Sequence, residues 1–219
     1  MEALISRMTA RLLLDVGAVR VSTGEPFKLA SGNFSPIYID CRALLSDAPA
    51  MDLVSAFIHW TVDRQKLAFD VVAGGESAGI PFAAQVAARL ARPTGYVRKG
   101  TKGYGTKTLV EGSIPAGSRV LLVEDLVTDG GSKLGFVESL RDAGMQVEDC
   151  IVIFDRLQGG AQLMASKSVR LHALTDLHQA LNAGKECGII TEESLCSVQS
   201  YLSDPKGWHD TRSLPYIER

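Results

Sequence analysis

The chain has 219 residues, a length that fits one α/β domain with a sizeable hydrophobic core. Its 23 Lys and Arg residues nearly balance its 25 Asp and Glu residues, so no overall electric field favours nucleic acid or an anionic membrane. The four cysteines stand far apart without a CxxC motif, which argues against a zinc site and a disulfide framework. We therefore expect one cytoplasmic domain over residues 1–219, with no secretion signal, membrane span or nucleic-acid partner.

The N-terminal region predicts a helix followed by a small β-rich cover. Apolar residues recur at helical spacing from Leu4 to Leu12, which predicts an amphipathic first helix. Between Phe27 and Arg42, a turn at residues 31–33 precedes an apolar strand at residues 37–39, a pattern typical of a hairpin. We call residues 18–45, with this predicted hairpin, the hood. A hairpin that simply covers one edge of the core is the plainer interpretation of the pattern alone.

A first glycine-rich loop follows the buried strand that is predicted at Val71–Ala73. Residues 74–81 (GGESAGIP) are mostly small and open a helix that is predicted to run through Ala91. Backbone N–H groups in such a loop can converge on phosphate oxygens. Taken alone, a plain glycine turn explains the loop equally well.

The most basic part of the chain is residues 98–107 (RKGTKGYGTK), which follow a short predicted strand. Glycines between the cations make such a segment mobile, and the cations can neutralise a polyanion, so together they predict a lid. Most charged runs are simply solvated, and that alternative is preferred when the segment is considered alone. The first glycine-rich loop, and a second loop at residues 128–132, both suit phosphate binding. Beside these two loops, the lid is the better interpretation.

Residues 120–132 (VLLVEDLVTDGGS) are the centre of the predicted site. Four apolar residues predict a strand buried on both faces, and Glu124 and Asp125 follow where that strand is expected to end. Residues 128–132 then form a loop whose amides can hold a phosphate at the start of a helix. The carboxylates can accept hydrogen bonds from vicinal hydroxyls, or bind Mg2+ through them. A capped turn explains the loop alone, and neither the Walker motif nor GxGxxG is present.

Arg156 is the candidate for recognising a carboxylate. It follows the apolar run Val147–Phe154, so it stands at a strand end where open α/β sheets bind ligands. Its guanidinium can bind a carboxylate through two hydrogen bonds, whereas a surface ion pair with Asp155 is the plainer alternative. We predict an α/β fold, with a central, mostly parallel sheet flanked by helices over residues 60–175 and C-terminal helices over residues 176–219.

The strand, acidic pair and Thr/Gly/Ser-rich loop at residues 120–132 resemble the signature with which phosphoribosyltransferases bind 5-phosphoribosyl 1-diphosphate. Two other segments resemble the orotate members of that family. In the hood, the residues that match F-x-x-K-S-G-x-x-S-P-x-Y are Phe27, Ser31, Gly32, Ser35, Pro36 and Tyr38. In the lid, the residues that match R-K-x-x-K-x-H-G are Arg98, Lys99, Lys102 and Gly105.

Three positions depart from the family pattern. Ala30 stands where the family has a lysine, and Lys28, two residues earlier, points to the same face if this segment is a strand. Tyr104 replaces a histidine and is a much weaker acid near neutral pH, so it suits hydrogen bonding to diphosphate better than proton donation. Ala78 stands where some orotate enzymes have a lysine, which leaves diphosphate binding to the backbone of the loop.

The resemblance implies transfer of a 5-phosphoribosyl group from 5-phosphoribosyl 1-diphosphate to orotate in de novo pyrimidine (UMP) biosynthesis, with Mg2+ as cofactor. It also implies a homodimer whose lids reach into the partner's sites. The implied catalytic residues are Lys102, Glu124 and Asp125. The implied donor-binding residues are Arg98, Lys99, Lys102, Tyr104, Glu124, Asp125, Leu126, Val127, Thr128, Asp129, Gly130, Gly131 and Ser132. The implied orotate-binding residues are Lys28, Tyr38, Thr128 and Arg156, and no direct metal ligand is assigned.

Three other functions are alternatives. A phosphoribosyltransferase for another base keeps every phosphate feature but gives Arg156 no carboxylate to bind. A non-catalytic regulator that senses the donor and binds RNA is expected to have a basic face outside the lid, which the charge balance does not suggest. A nucleotide-binding dehydrogenase or methyltransferase needs a glycine fingerprint after its first strand, and the glycines here have the wrong spacing.

Overall fold

The structure is a computed structural model that describes residues 1–22, 24–29, 31–100 and 109–218. Within those ranges, no helix combines the length and the apolar character that a membrane crossing requires. The first elements are α1 (Glu2–Asp15), β1 (Val19–Val21), β2 (Phe27–Lys28), β3 (Phe34–Ser35), β4 (Ile37–Ile39), a 3-10 helix (Cys41–Ser46) and α2 (Ala48–Gln65). They are followed by β5 (Val71–Gly75), α3 (Gly79–Leu90), β6 (Thr94–Val97), β7 (Val110–Glu111), β8 (Arg119–Val127), α4 (Gly131–Asp142), β9 (Gln146–Asp155), α5 (Gly160–Ser166) and β10 (Arg170–Asp176). The last elements are α6 (Leu177–Glu186), α7 (Glu192–Ser203) and α8 (Pro205–Asp210).

A six-stranded sheet forms the centre of the molecule, with the strand order β10-β9-β8-β5-β6-β7. Neighbouring strands are parallel except β6 and β7, which are antiparallel. The long apolar runs of β5, β8 and β9 are buried because helices cover both faces of the sheet. The predicted α/β fold with a mostly parallel sheet is therefore confirmed.

The two faces of the sheet pack against separate cores. On β9, Ile151 and Ile153 belong to one core, whereas Cys150 and Val152 belong to the other, because side chains alternate along a strand. The first core also contains apolar residues of α1, α2, α3 and α6, and the second contains those of α4 and α5. Polar site residues are therefore expected at an edge of the sheet rather than on its faces.

The strand order reverses between β5 and β8. The chain first places β6 on one side of β5 and then returns to place β8 on the other side. In open parallel sheets, a crevice forms at such a switch point beyond the carboxyl ends of the strands, and ligands bind there. The first glycine-rich loop leaves β5 at this edge, and the acidic pair lies near the end of β8.

The hood differs from the predicted single hairpin. A hairpin does form around the predicted turn, but its second strand is β3 at Phe34–Ser35. β4, the strand predicted at residues 37–39, pairs with β1 instead. The cause lies at Ser35 and Pro36, because proline has no N–H for a sheet and the Ser35 hydroxyl bonds the backbone N–H and C=O of Ile37. β2 ends at Lys28, and Ala30 lies outside the described residues.

The C-terminal tail holds the hood hairpin in place. His209 is fully buried, and its Nε2 accepts the backbone N–H of Phe34 at 3.0 Å. Its Nδ1 therefore carries the proton and donates to the Pro205 carbonyl oxygen at 2.6 Å. The Asn33 side chain bonds both backbone polar groups of Ile217, at 2.7 and 2.9 Å. The helix α8, which supplies His209, lies in the region 176–219 for which C-terminal helices are predicted.

The two bonds between Asn33 and Ile217 give a test of this contact. We expect Asn33→Ala to lower the free energy of unfolding by about 1–3 kcal/mol, because it removes two hydrogen bonds at a site that is 7% exposed. Urea unfolding followed by circular dichroism measures the change. Asn182→Ala, at an exposed position on α6, is the matched control and should change stability by less than about 0.5 kcal/mol. Equal effects of the two substitutions would contradict the assigned role of the tail.

Candidate active site

The acidic pair lies inside β8 rather than after it. β8 continues to pair with β9 as far as Val127, so the hydrogen-bonded ladder carries the strand past Glu124 and Asp125. The prediction that the strand ends before the acids was therefore wrong, because strand pairing extends beyond the apolar run. Both acids are still near the carboxyl end of β8, at the switch point.

Glu124 is 1% exposed, and donors from two other elements bind its carboxylate. Oε1 accepts the backbone N–H of Gly75 at 2.5 Å, and Oε2 lies 2.5 Å from Nζ of Lys133. Burial raises the pKa of Glu124, although the Lys133 charge and the Gly75 amide oppose that shift. Burial alone would lower the pKa of Lys133, but Glu124 and Asp125 outweigh it and raise this pKa. Lys133 is therefore charged beside the acidic pair.

The start of α3 approaches the same carboxylate closely. A Cβ atom at Gly79 would overlap Oε1 of Glu124 and would lie 3.0 Å from the Val123 carbonyl oxygen. Glycine at this position is therefore required by the side chain of Glu124.

The first loop, residues 74–78, is hydrogen-bonded to the end of β6 and to the start of the predicted lid. We call Arg98 and Lys99, at that start, the lid base. The backbone N–H of Glu76 donates to the Val97 carbonyl oxygen at 2.7 Å, and its carboxylate accepts the Lys99 N–H at 2.9 Å. The Arg98 guanidinium lies 3.8 Å from the Glu111 carboxylate on β7. β6 and β7 thus hold Arg98 and Lys99 beside the first loop. The predicted residues Lys102 and Tyr104 lie outside the described residues.

An open cleft of about 270 Å³ brings these parts together. We call it the acidic cleft, and it is lined by Ile39, Asp40, Arg42, Glu76, Ser77, Ala78, Lys99, Glu124, Asp125, Leu126, Ser132, Lys133 and Phe136. The hood, the first loop, the lid base and the acidic pair therefore meet at one place. The peptide bond between Glu76 and Ser77 in its wall is cis.

The second loop, residues 128–132, forms a smaller pocket of about 130 Å³ beside the acidic cleft. We call it the loop pocket, and it is lined by Leu126, Val127, Thr128, Asp129, Gly130, Ser132 and Lys133. Gly130 has φ +87°, a left-handed conformation that side chains rarely adopt, and it precedes the first residue of α4. Asp129 Oδ1 accepts the Gly131 N–H at 3.0 Å, so this amide already has a partner within the loop.

Three site residues were not singled out from the sequence. Asp40 and Arg42 form two short contacts, at 2.6 and 2.7 Å, and the hydrogen bond from Arg42 lowers the pKa of Asp40. Lys133 completes the group by contacting Glu124 and Asp125. The contact between Asp40 and Arg42 is local, but the sequence does not signal that both residues line the cleft. Lys133 joins α4 to β8, and no local spacing in the sequence signals that contact.

Of the predicted orotate-binding residues, Thr128 lines the loop pocket, whereas Lys28, Tyr38 and Arg156 line neither pocket. The backbone N–H of Arg156 donates to the Val127 carbonyl oxygen at 3.0 Å, so Arg156 lies next to the start of the second loop. The Tyr38 ring lies 5.8 Å from the Phe27 ring, and the residues after Tyr38 enter the acidic cleft. Lys28 is exposed on β2. Their roles stay predictions.

The sequence and the geometry agree on the class of protein. The chain matches the phosphoribosyl transferase domain over residues 43–170, and it therefore belongs to the phosphoribosyltransferases. An orotate phosphoribosyltransferase from Jannaschia sp. (strain CCS1) is 45% identical over 214 residues, which cover 96% of this chain and 94% of that protein. Within the class, the chain belongs to the orotate phosphoribosyltransferases, as the sequence motifs predicted.

Solved structures of related proteins, two among them from Aeropyrum pernix and Leishmania donovani, are also similar to this chain. The orotate phosphoribosyltransferase from Aeropyrum pernix has a TM-score of 0.72 and 35% identity, and the match covers 84% of this chain and 100% of that chain. The Leishmania donovani UMP synthase has a TM-score of 0.78 and 31% identity. That match covers 90% of this chain but only 42% of the synthase.

The close approach at Gly79 gives a second test. We expect Gly79→Ala to lower the free energy of unfolding by about 1–3 kcal/mol, because the added methyl group displaces the Glu124 carboxylate. Urea unfolding measures the loss. Gly135→Ala on the exposed side of α4 is the control, since no atom lies within 4 Å of its added Cβ, and there alanine should stabilise the helix by up to about 1 kcal/mol. A neutral or stabilising Gly79→Ala would contradict the described packing.

Proposed function

We propose that the protein transfers the 5-phosphoribosyl group of 5-phosphoribosyl 1-diphosphate to orotate, in de novo pyrimidine (UMP) biosynthesis. The products are orotidine 5'-monophosphate and diphosphate. The observation that carries the proposal is the acidic cleft, because it joins a carboxylate pair, a phosphate-type loop and basic residues at the switch point of the sheet. Membership of the orotate phosphoribosyltransferases supports the choice of base.

The donor is proposed to lie across the two pockets. Amides of the second loop, residues 128–132, hold the 5'-phosphate in the loop pocket, aided by the positive end of α4. Leu126 and Val127, at the end of β8, line the same pocket. Asp125 accepts hydrogen bonds from the ribose hydroxyls, supported by its position in the wall of the acidic cleft. The diphosphate lies against the first loop and Lys99, with Arg98, Lys102 and Tyr104 completing its surroundings.

Orotate is proposed to bind near the start of the second loop. Arg156 binds its carboxylate with a bidentate pair of hydrogen bonds, and Thr128 contacts the ring. Tyr38 and Lys28 approach from the hood. The position of the Arg156 backbone beside Val127 supports this arrangement.

The chemistry requires charge stabilisation more than proton transfer. A ring nitrogen of orotate forms the new bond to the anomeric carbon while the bond to the diphosphate oxygen breaks. Positive charge develops on the ribose and is stabilised by the acidic pair, while Lys99 and Lys102 stabilise the departing diphosphate. Orotate reacts as an anion, so no strong general base is needed, and closure of the lid excludes water.

Mg2+ is proposed as the cofactor, carried by the donor rather than by a cage of protein ligands. In the described ranges, no group of three or more His, Cys, Asp or Glu side chains is arranged to hold a metal ion. Mg2+ commonly binds substrate phosphates and keeps several waters, which suits a polar cleft with few free carboxylates. When bound, it neutralises charge on the diphosphate.

The assembly is proposed to be a homodimer whose lids complete the partner's sites, on the basis of the lid motif.

We place the enzyme in the cytoplasm, and its four unpaired cysteines support a reducing compartment.

The base and its anchor can be tested together. Purified protein with Mg2+ and the donor should consume orotate, followed by its absorbance, but not uracil, hypoxanthine or adenine. Arg156→Ala should lower kcat/KM for orotate by about a hundredfold or more, because it removes a charged bidentate contact. Arg11→Ala, which removes an exposed arginine paired with Asp15, should leave turnover unchanged.

The possible outcomes separate the alternatives. Turnover of another base would keep the assignment of the phosphate pockets and overturn that of Arg156. Donor binding without turnover of any base would favour the regulator.

Sharing of sites across a dimer can be tested by mixing two impaired variants. Lys102→Ala and Asp125→Ala should each have little activity, since each removes a group at the reacting centre. After subunit exchange, an equal mixture should regain up to about a quarter of wild-type activity, because mixed dimers contain one intact site. The orotate assay measures the recovery. A mixture no more active than the separate variants would indicate that each site belongs to one chain.

A further inference from the structure

Lys133 is a buried lysine to which the proposed reaction assigns no role. It lies in the first turns of α4, and its side chain is 13% exposed. Its Nζ lies 2.5 Å from Glu124 Oε2 and 3.4 Å from Asp125 Oδ1. A buried ammonium is costly unless carboxylates compensate its charge. The acidic pair provides that compensation, so the three side chains form one electrostatic unit.

Both carboxylate oxygens of Glu124 are engaged by protein donors. Oε1 accepts the Gly75 N–H, and Oε2 contacts the ammonium of Lys133. A divalent cation that bridged Glu124 and Asp125 would need the position beside both carboxylates that Lys133 already occupies. The acidic pair therefore does not fit a direct metal site.

The position of Lys133 also relates it to the donor. Lys133 lines both the acidic cleft and the loop pocket. A fixed positive charge at this boundary lies between the proposed places of the ribose and the 5'-phosphate. Asp125 makes only the longer of the two contacts, so its carboxylate is less tightly held than that of Glu124.

We propose that Lys133 is a positioning residue that acts as an internal cation for the acidic pair. It holds Glu124 against Gly75, which joins β8 to the first loop, and it leaves Asp125 to accept hydrogen bonds from the sugar. The pair thus binds hydroxyls directly and does not bind a divalent cation before the donor arrives. The identity of the sugar rests on the proposed function, but metal binding by the pair can be measured without any substrate.

The test is titration of substrate-free protein with Mn2+, with free Mn2+ followed by electron paramagnetic resonance. Lys133→Met keeps an unbranched side chain that is one atom shorter, and it removes the charge. It should gain a Mn2+ site that the wild type lacks, seen as apparent binding about tenfold tighter or more, because two uncompensated carboxylates attract a cation. Adding Glu124→Gln to Lys133→Met should abolish the gain.

Two control variants separate the effect of losing the positive charge from a general disturbance of the protein. Lys133→Arg keeps the positive charge and should bind Mn2+ as the wild type does. Lys185→Met removes an exposed lysine that is paired with Glu192 at 2.7 Å, and it should also leave the affinity unchanged. If Lys133 only stabilised the fold, Mn2+ affinity would not rise in Lys133→Met while staying unchanged in Lys133→Arg and Lys185→Met.

An unchanged Mn2+ affinity in Lys133→Met, with a native circular dichroism spectrum, would overturn the proposal. If Lys133→Met does not fold, wild type and Glu124→Gln are compared instead. Equal affinities would support the proposal, and a weaker affinity in Glu124→Gln would overturn it, because the native pair would then bind the metal. None of these titrations uses orotate or the donor, so failure of the proposed reaction would be seen separately.

Discussion

The buried carboxylate of Glu124 is the interaction on which the geometry of the site depends. It lies at the switch point of the sheet, where one oxygen binds the end of β5 and the other binds α4 through Lys133. The start of α3 packs against the same group at Gly79. One side chain therefore fixes four elements relative to one another. An acid in such a place needs donors on both oxygens, because a buried charge without them is strongly destabilising.

The link from the first loop to the lid base extends this arrangement. Glu76 uses its backbone N–H to bind Val97 and its carboxylate to bind Lys99. The loop proposed for diphosphate and the cations proposed for the same group are therefore parts of one hydrogen-bonded assembly. A shift of Arg98 and Lys99 would therefore move the first loop as well.

Short sequence patterns predicted the strands and loops whose structure depends on residues close together in the chain. The strands at Val71 and Val120 could be recognised because a parallel strand buried on both faces must be a continuous apolar run. The second loop could be recognised from its small residues after an acidic pair. The role of Lys133 could not be predicted, because its contacts with Glu124 and Asp125 form only when β8 and α4 pack together. Arg42 pairs with Asp40 only two residues away, but its place in the wall of the acidic cleft depends on how the hood packs. The pairing of β4 with β1 was missed because Pro36 and Ser35 redirect a chain that otherwise alternates like a hairpin.

The attachment of the hood to the tail has a consequence for the order of folding. Asn33 and Ile217 are separated by 184 residues, and Phe34 and His209 by 175. Contacts between such distant residues form late, because a long loop must close first, and during synthesis the end of the chain leaves the ribosome last. The sheet can therefore assemble while the hood is still unanchored. The newly made protein can therefore fix the β2–β3 hairpin only after its final residues are free, so a chain that ended before His209 would lack the tail's bonds to Asn33 and Phe34.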